Sequence, residues 1–129
     1  LHVRSRRQRQ MCIRDSYKTE GHGNGIRVAT TRSLTSGQWE EEPDYKQQTP
    51  EAVEGAGTFK LIGQNKYILM YDVYMKGKYQ FTESSDLEHF KVIDHAISMD
   101  FHPRHGTVIP ITPKELKRLF KAYGKPEGF

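Results

Sequence analysis

The sequence predicts an all-β fold of sheets covered on both sides, followed by one short helix. Three observations predict it. Short β-rich runs alternate with turn residues from residue 17 onward. The run "KYILMYDVY" (66–74) is apolar on both alternating faces, with Tyr67, Leu69, Tyr71 and Val73 on one and Ile68, Met70 and Tyr74 on the other. Such a strand lies between two layers rather than against water. Finally, "RVATTRSLTSGQWEEE" (27–42) and "YQFTESSDLEHFKVI" (79–93) share one plan. Each has a strand, a Thr/Ser-rich turn with a leucine (Leu34, Leu87) and an aromatic (Trp39, Phe90) that opens the next strand. The leucine spacing, 87 − 34 = 53 residues, is the length of a β-propeller blade, a four-stranded sheet whose neighbours bury both its faces. Two sandwich hairpins that coincide in pattern are the alternative. Propellers close with about four to eight blades, and 129 residues hold little more than two. The expectation is therefore a partial β-propeller of about two blades, with the missing N-terminal blades belonging to the same parent chain.

The elements follow in order. "GIRVATT" (25–31) is a strand, and "TSGQW" (35–39) turns the chain into an aromatic. "GTFKLI" (57–62), the Gly63-Gln64-Asn65 turn and 66–74 form a hairpin. "MKGK" (75–78) leads into "YQFTES" (79–84), "FKVI" (90–93) adds a strand, and "GTVIPI" (106–111) reads as a buried one. The rest is a helix: Thr112, Pro113 and Glu115 supply the N-cap, N1 and N3 of a capping box. Leu116, Leu119, Phe120 and Tyr123 recur at helical spacing, and Gly124 and Pro126 end the run. Lys114, Lys117, Arg118 and Lys121 on the other face read as a solvated surface.

Residues 1–16 are set apart. The net charge of +4 resides there, where five arginines (Arg4, Arg6, Arg7, Arg9, Arg14) face only Asp15, so the rest of the chain is balanced. The sole cysteine, Cys12, lies there too. A basic nucleic-acid arm, a targeting segment and a foreign origin are the three readings of this stretch. No apolar h-region is present, and "RQRQMCIRDS" looks like translated sequencing adapter, so 1–16 is expected to be an artefactual, disordered segment. That leaves residues 17–112 as the β domain and 113–129 as helix and tail, with no basic patch for nucleic acid, no thiol chemistry and no run long enough for a membrane span.

Three residues stand out for chemistry. Glu54 precedes Gly55-Ala56-Gly57, a flexible loop entering a strand, where partial burial would raise a carboxyl pKa, although spacing alone favours an exposed loop glutamate. Arg104 and His105 sit at the mouth of the run 106–111, where charges are costly to desolvate unless something nearby uses them. Asp94, His95, Asp100, His102 and His105 form only a weak metal pattern. Asp72, in an apolar strand with no carboxylate near it in sequence, reads as structural, and Tyr67, Tyr71, Tyr74 and Tyr79 read as core.

"VEGAGTFKLIGQNKYILMYDVY", "GKYQFTESSDLEHFKV" and "RHGTVIPIT", spread over about residues 25–112, together resemble the C-terminal part of glycoside hydrolase family 43. The resemblance implies a five-bladed propeller, of which this chain is the C-terminal two-fifths or so. It implies hydrolysis of arabinofuranosides, xylosides and related plant glycans with inversion, and an extracellular or periplasmic bacterial enzyme. Glu54 in "VEGAG" matches the family's general acid, with Ala56 where proline is common. His105-Gly106-Thr107-Val108 resembles the turn that faces the pocket floor, where the histidine often helps hold calcium through waters. Arg104, where glycine is frequent, would bond sugar hydroxyls. The base aspartate and the aspartate that tunes the acid have no counterpart here, so the truncated chain is expected to be inactive alone. A non-catalytic carbohydrate-binding propeller and a retaining fructosidase-like propeller are the alternatives.

Overall fold

The computed structural model describes residues 13–21, 23–99, 101 and 104–128. These form two antiparallel sheets, one α-helix and two single-turn 3-10 helices. The first sheet has strand order β1 (Ile13–Lys18), β2 (Ile26–Thr31), β3 (Glu40–Glu41), and the second has order β4 (Glu54–Lys60), β5 (Tyr67–Val73), β6 (Lys78–Ser84), β7 (Lys91–Val92). Every neighbour in the list is antiparallel to the next, and all are joined in simple up-and-down order. The all-β expectation with a C-terminal helix holds.

The repeat is carried by hydroxyls as well as leucines. Thr31 ends β2 and Ser84 ends β6, both buried. Thr31 Oγ1 accepts the Ser33 amide at 3.2 Å, and Ser84 Oγ accepts the Asp86 and Leu87 amides at 3.2 and 2.9 Å. Each hydroxyl thus satisfies backbone donors that the strand can no longer pair, and starts the turn into the next strand.

Between the sheets lies the core: Ile26, Val53, Leu69, Tyr71 and Val73, with Ala56 and Phe90 packed against it. Leu69, Tyr71 and Val73 are alternate residues of β5, so one face of that strand meets the first sheet. On the other face Ile68, Met70 and Asp72 are also buried, and Met70 lies against Gly106. Tyr71 carries its hydroxyl into the core, accepting the Gln48 amide at 2.8 Å and donating to Gln80 Oε1 at 2.7 Å. Burial pushes its pKa up to about 12, against the opposing effect of the Gln48 amide.

Two expectations are corrected. Residues 1–12 are outside the described residues, but 13–16, expected to be disordered with them, belong to β1, paired with β2 from Ile13↔Thr31 to Lys18↔Ile26. A ladder needs only an extended backbone, and the edge of β2 would otherwise stand open. Arg14 then forks onto the Glu42 carboxylate, lies 3.3 Å from Glu88 and donates to the Leu87 carbonyl at 2.8 Å. Lys46, almost wholly buried, closes the square, 2.9 Å from Glu42 and 2.8 Å from Glu88. Burial works to lower the Lys46 pKa, but the hydrogen bonds to Glu42 and Glu88 outweigh it and raise the value. Four charges, one on β1 and three in the loops that follow β3 and β6, thereby satisfy one another.

The second correction concerns 106–111. The segment has no regular secondary structure and pairs with no strand among the described residues, and Val108, Ile109 and Ile111 are exposed. Apolar β-branched residues favour a strand only where a ladder partner exists, and Pro110 has no amide to donate. The helix α1 (Pro113–Tyr123) has the full capping box, with the Glu115 amide on Thr112 Oγ1 and the Thr112 amide on Glu115 Oε2, yet it buries no residue. No described helix is long and apolar enough to cross a membrane.

Candidate active site

One row of the second sheet organises the site. In the ladder Glu54 of β4 stands opposite Asp72 of β5, and Asp72 stands opposite Tyr79 of β6. Directly opposed residues point to the same face. Each member of the row takes one residue of the segment Arg104-His105-Gly106. His105 Nε2 is 3.0 Å from Glu54 Oε1, Arg104 Nε donates to Asp72 Oδ2 at 2.8 Å, and the Gly106 amide donates to Tyr79 Oη at 3.1 Å. Three consecutive residues are thus fastened to three adjacent strands.

Local backbone makes that approach feasible. The register shifts between Glu54 and Gly57, and Gly55 has φ +62°. A Cβ on Gly55 would stand 3.1 Å from the imidazole, and one on Gly57 would stand 3.2 Å from the Gly106 carbonyl. Glycine is needed for conformation and for closeness. His105 itself has φ +52°, a costly conformation for a residue with a side chain, held by the contacts on both sides of it. The "EGAG" stretch therefore serves as a seat for His105.

Glu54 opens β4 rather than lying in a free loop. Its second oxygen is 3.2 Å from Lys18 Nζ, which also pairs with Glu20 at 3.2 Å and stands 5.4 Å above the Tyr74 ring. Arg104 Nη2 lies 3.5 Å from Glu54 Oε1. The expected upward shift of the Glu54 pKa is reversed. The His105 hydrogen bond, followed by that of Lys18, holds the carboxyl below the ordinary range and outweighs partial burial. Lys18 is correspondingly raised by its hydrogen bonds to Glu20 and Glu54. Burial pushes Tyr79 up, although the Gly106 amide opposes it.

The three residues singled out from sequence thus come together, and the structure adds Lys18, Asp72 and Tyr79. Asp72, read from sequence as structural, is 1% exposed and beside the glutamate. Counting outward from Lys60↔Tyr67 along the hairpin places Gly55 opposite it, and the register shift between Glu54 and Gly57 brings Glu54 there instead. Of the histidine-rich pattern's described residues, Asp94 accepts the Phe81 amide at 2.7 Å, His95 is exposed and His105 lies at Glu54. Asp100 and His102 lie outside the described residues.

Donor atoms of Glu54, Asp72 and His105 lie within 4.8 Å of one another. Calcium takes about six to eight oxygen ligands, whereas this set offers two carboxylates and an imidazole, and Lys18 and Arg104 already face both carboxylates. Direct calcium ligation does not fit. The arrangement suits a ligand rich in hydroxyls, with a carboxylate, an imidazole and a guanidinium edge converging on one spot.

Comparison with curated proteins and with solved structures finds no match to the chain. Residues 7–117 match the family 43-related model described as "Probable glycosyl hydrolase domain". A carboxylate seated between basic groups in a two-sheet all-β frame is thereby given its context: the chain belongs to this glycosyl hydrolase family.

Proposed function

We propose that this domain carries the acid side of an inverting glycoside hydrolase acting on arabinose- or xylose-type plant polysaccharides. The carrying observation is the convergence on Glu54 of His105 and Arg104, 51 and 50 residues away in sequence, at 3.0 and 3.5 Å. In this reading Glu54 Oε1 delivers a proton to the glycosidic oxygen as the C–O bond breaks. His105 Nε2, 3.0 Å from Glu54 Oε1, is the hydrogen-bond partner through which Glu54 would be reprotonated for the next turnover. Arg104 and His105 line the sugar site. A second carboxylate, supplied by a further part of the enzyme, takes a proton from the water that attacks the anomeric carbon from the opposite face. Asp72, buried beneath Arg104, is not placed for that task. The calcium of related propellers would have to reach His105 through water, and no step is assigned to it.

The test is Glu54→Gln in the enzyme that contains this domain. A large loss on natural oligosaccharides and a much smaller loss on aryl glycosides with acidic phenols is expected, because a good leaving group departs unprotonated. Equal losses on both would remove Glu54 from the acid role, and NMR of the first-formed anomer decides between inversion and retention. A second reading, a non-catalytic carbohydrate-binding propeller, is favoured by the lowered Glu54 pKa. Glycan binding without hydrolysis in the same assays would establish it.

A further inference from the structure

We infer that Asp72 is a positioning residue: its buried carboxylate grips Arg104 through Nε and fixes the outer edge of the guanidinium beside Glu54, over the sugar site. The inference rests on the hydrolase reading for its consequence, but not for its geometry.

An arginine whose side chain is 65% exposed ordinarily samples many rotamers, and its surface ion pairs contribute little. Arg104 differs because of its partner. Asp72 is 1% exposed at the side chain, its Oδ2 is bonded to Arg104 Nε at 2.8 Å, and its Oδ1 is buried with no partner among the described residues. If Arg104 swings away, a carboxylate is left buried without compensation, a far larger cost than a broken surface pair. The exposed side chain is therefore pinned from beneath.

The point of attachment sets the direction. Arginine carries five N–H donors in a rigid plane. With Nε spent on Asp72, the Nη groups remain, and Nη2 lies 3.5 Å from Glu54 Oε1. Lysine could not reproduce this, having a single nitrogen and no second edge. The β4–β5 register sets Asp72 directly across from Glu54, so anchor and carboxylate share one row of the sheet. Tyr79, next in the row, holds the Gly106 amide and stops the segment from sliding along it. Shifting the register by one residue would turn Asp72 to the opposite face and release Arg104.

Two measurements test the inference. The first is the exchange rate of Arg104 Hε, followed by NMR of the whole chain. Slow exchange in the unaltered protein, accelerated in Asp72→Asn, is expected. Free exchange in the unaltered protein would overturn the inference whatever the protein hydrolyses. The second is a kinetic cycle in the enzyme containing this domain, with p-nitrophenyl α-L-arabinofuranoside and p-nitrophenyl β-D-xyloside as probes. Asp72→Asn and Arg104→Ala should each lower kcat/KM by roughly a hundredfold, the order expected when a positioning group shifts by about an ångström. The double variant should lose no more than either single one. A merely structural Asp72 would instead lower yield and melting temperature while kcat/KM per folded molecule stayed unchanged. That result, or additive losses, overturns the inference. Should Asp72→Asn not fold, Arg104→Lys, which keeps the charge but removes the Nε donor, is measured singly: a loss close to that of Arg104→Ala is expected, and an unchanged kcat/KM overturns the inference. A protected Hε without hydrolysis of either probe upholds the anchor and retires the hydrolase reading.

Discussion

Glu54 and His105 meet at 3.0 Å across 51 residues of chain because Gly55 leaves room for the imidazole. An alanine there would meet the ring at 3.1 Å and would also have to adopt φ +62°. Gly55→Ala should destabilise the domain by about 1–2 kcal/mol, the cost of a left-handed residue with a Cβ. It should also move His105 off Glu54. Urea denaturation and the chemical shift of the His105 imidazole check both parts together. An unshifted imidazole with normal stability would mean that the seat tolerates a methyl group.

The charge square between the sheets gives a second expectation. Lys46 lies between Glu42 and Glu88 at 2.9 and 2.8 Å with its side chain 6% exposed. Lys46→Met leaves two carboxylates facing each other with less compensation, and should cost about 1–3 kcal/mol in urea denaturation. Arg14→Gln, at a more exposed corner, should cost less but still measurably. A neutral Arg14→Gln would return residues 13–16 to the status of a foreign extension, and reads across the junction into genomic DNA would then decide their origin.

Acid should unfold the domain through a few identifiable carboxylates. Asp86 accepts from the Ser84 hydroxyl, the Glu88 and His89 amides and the His89 ring at 2.7–2.9 Å. These bonds, the His89 ring first, hold its pKa well below the usual range, and Glu54 is lowered as well. A depressed folded value means stability that is fully present above the unfolded pKa and lost as pH falls through the folded one. Urea midpoints should stay level near neutrality and fall below about pH 4, where unfolded carboxyls take up protons. Asp86→Asn should make that fall shallower. An unchanged acid slope would remove Asp86 from the set.

The helix should behave as an appendage. Thr112 caps α1, but no residue of the helix is buried. Thr112→Ala should weaken the helix by about 1 kcal/mol and reduce the helical circular dichroism signal. The unfolding midpoint of the sheets, followed by Trp39 fluorescence, should not move. A shifted midpoint would show that the apolar stripe of Leu116, Leu119, Phe120 and Tyr123 packs on the sheets in solution.

What could be read beforehand was whatever repeats or alternates locally. Leu34 and Leu87 marked the repeat, and the two greasy faces of 66–74 marked a strand that is now seen buried on both sides. Glu54, Arg104 and His105 were legible as motif positions. Asp72 was not, because its partners come from a neighbouring strand and from 32 residues downstream, and linear spacing hides cross-strand neighbours. Lys18 was missed similarly: it reaches Glu54 from the other sheet. The failure at 106–111 has another cause. Its composition favours a strand, but pairing depends on a partner that no property of the segment itself reveals.

The row Glu54–Asp72–Tyr79 also bears on how the molecule is made. A ribosome releases the chain from its N-terminal end, so all three side chains, and the strands that align them, exist before Arg104 is polymerised. Until then the hairpins hold Asp72 with no counterion, and the sheet face around it cannot dry out without stranding its charge. Arrival of Arg104-His105-Gly106 neutralises that charge, closes the face and surrounds Glu54 in a single event. A nascent chain stalled before this tripeptide would hold the glutamate but none of its downstream neighbours. Truncated products should therefore keep an unfinished sheet face, because closing that face and gathering the charged groups around Glu54 are one step.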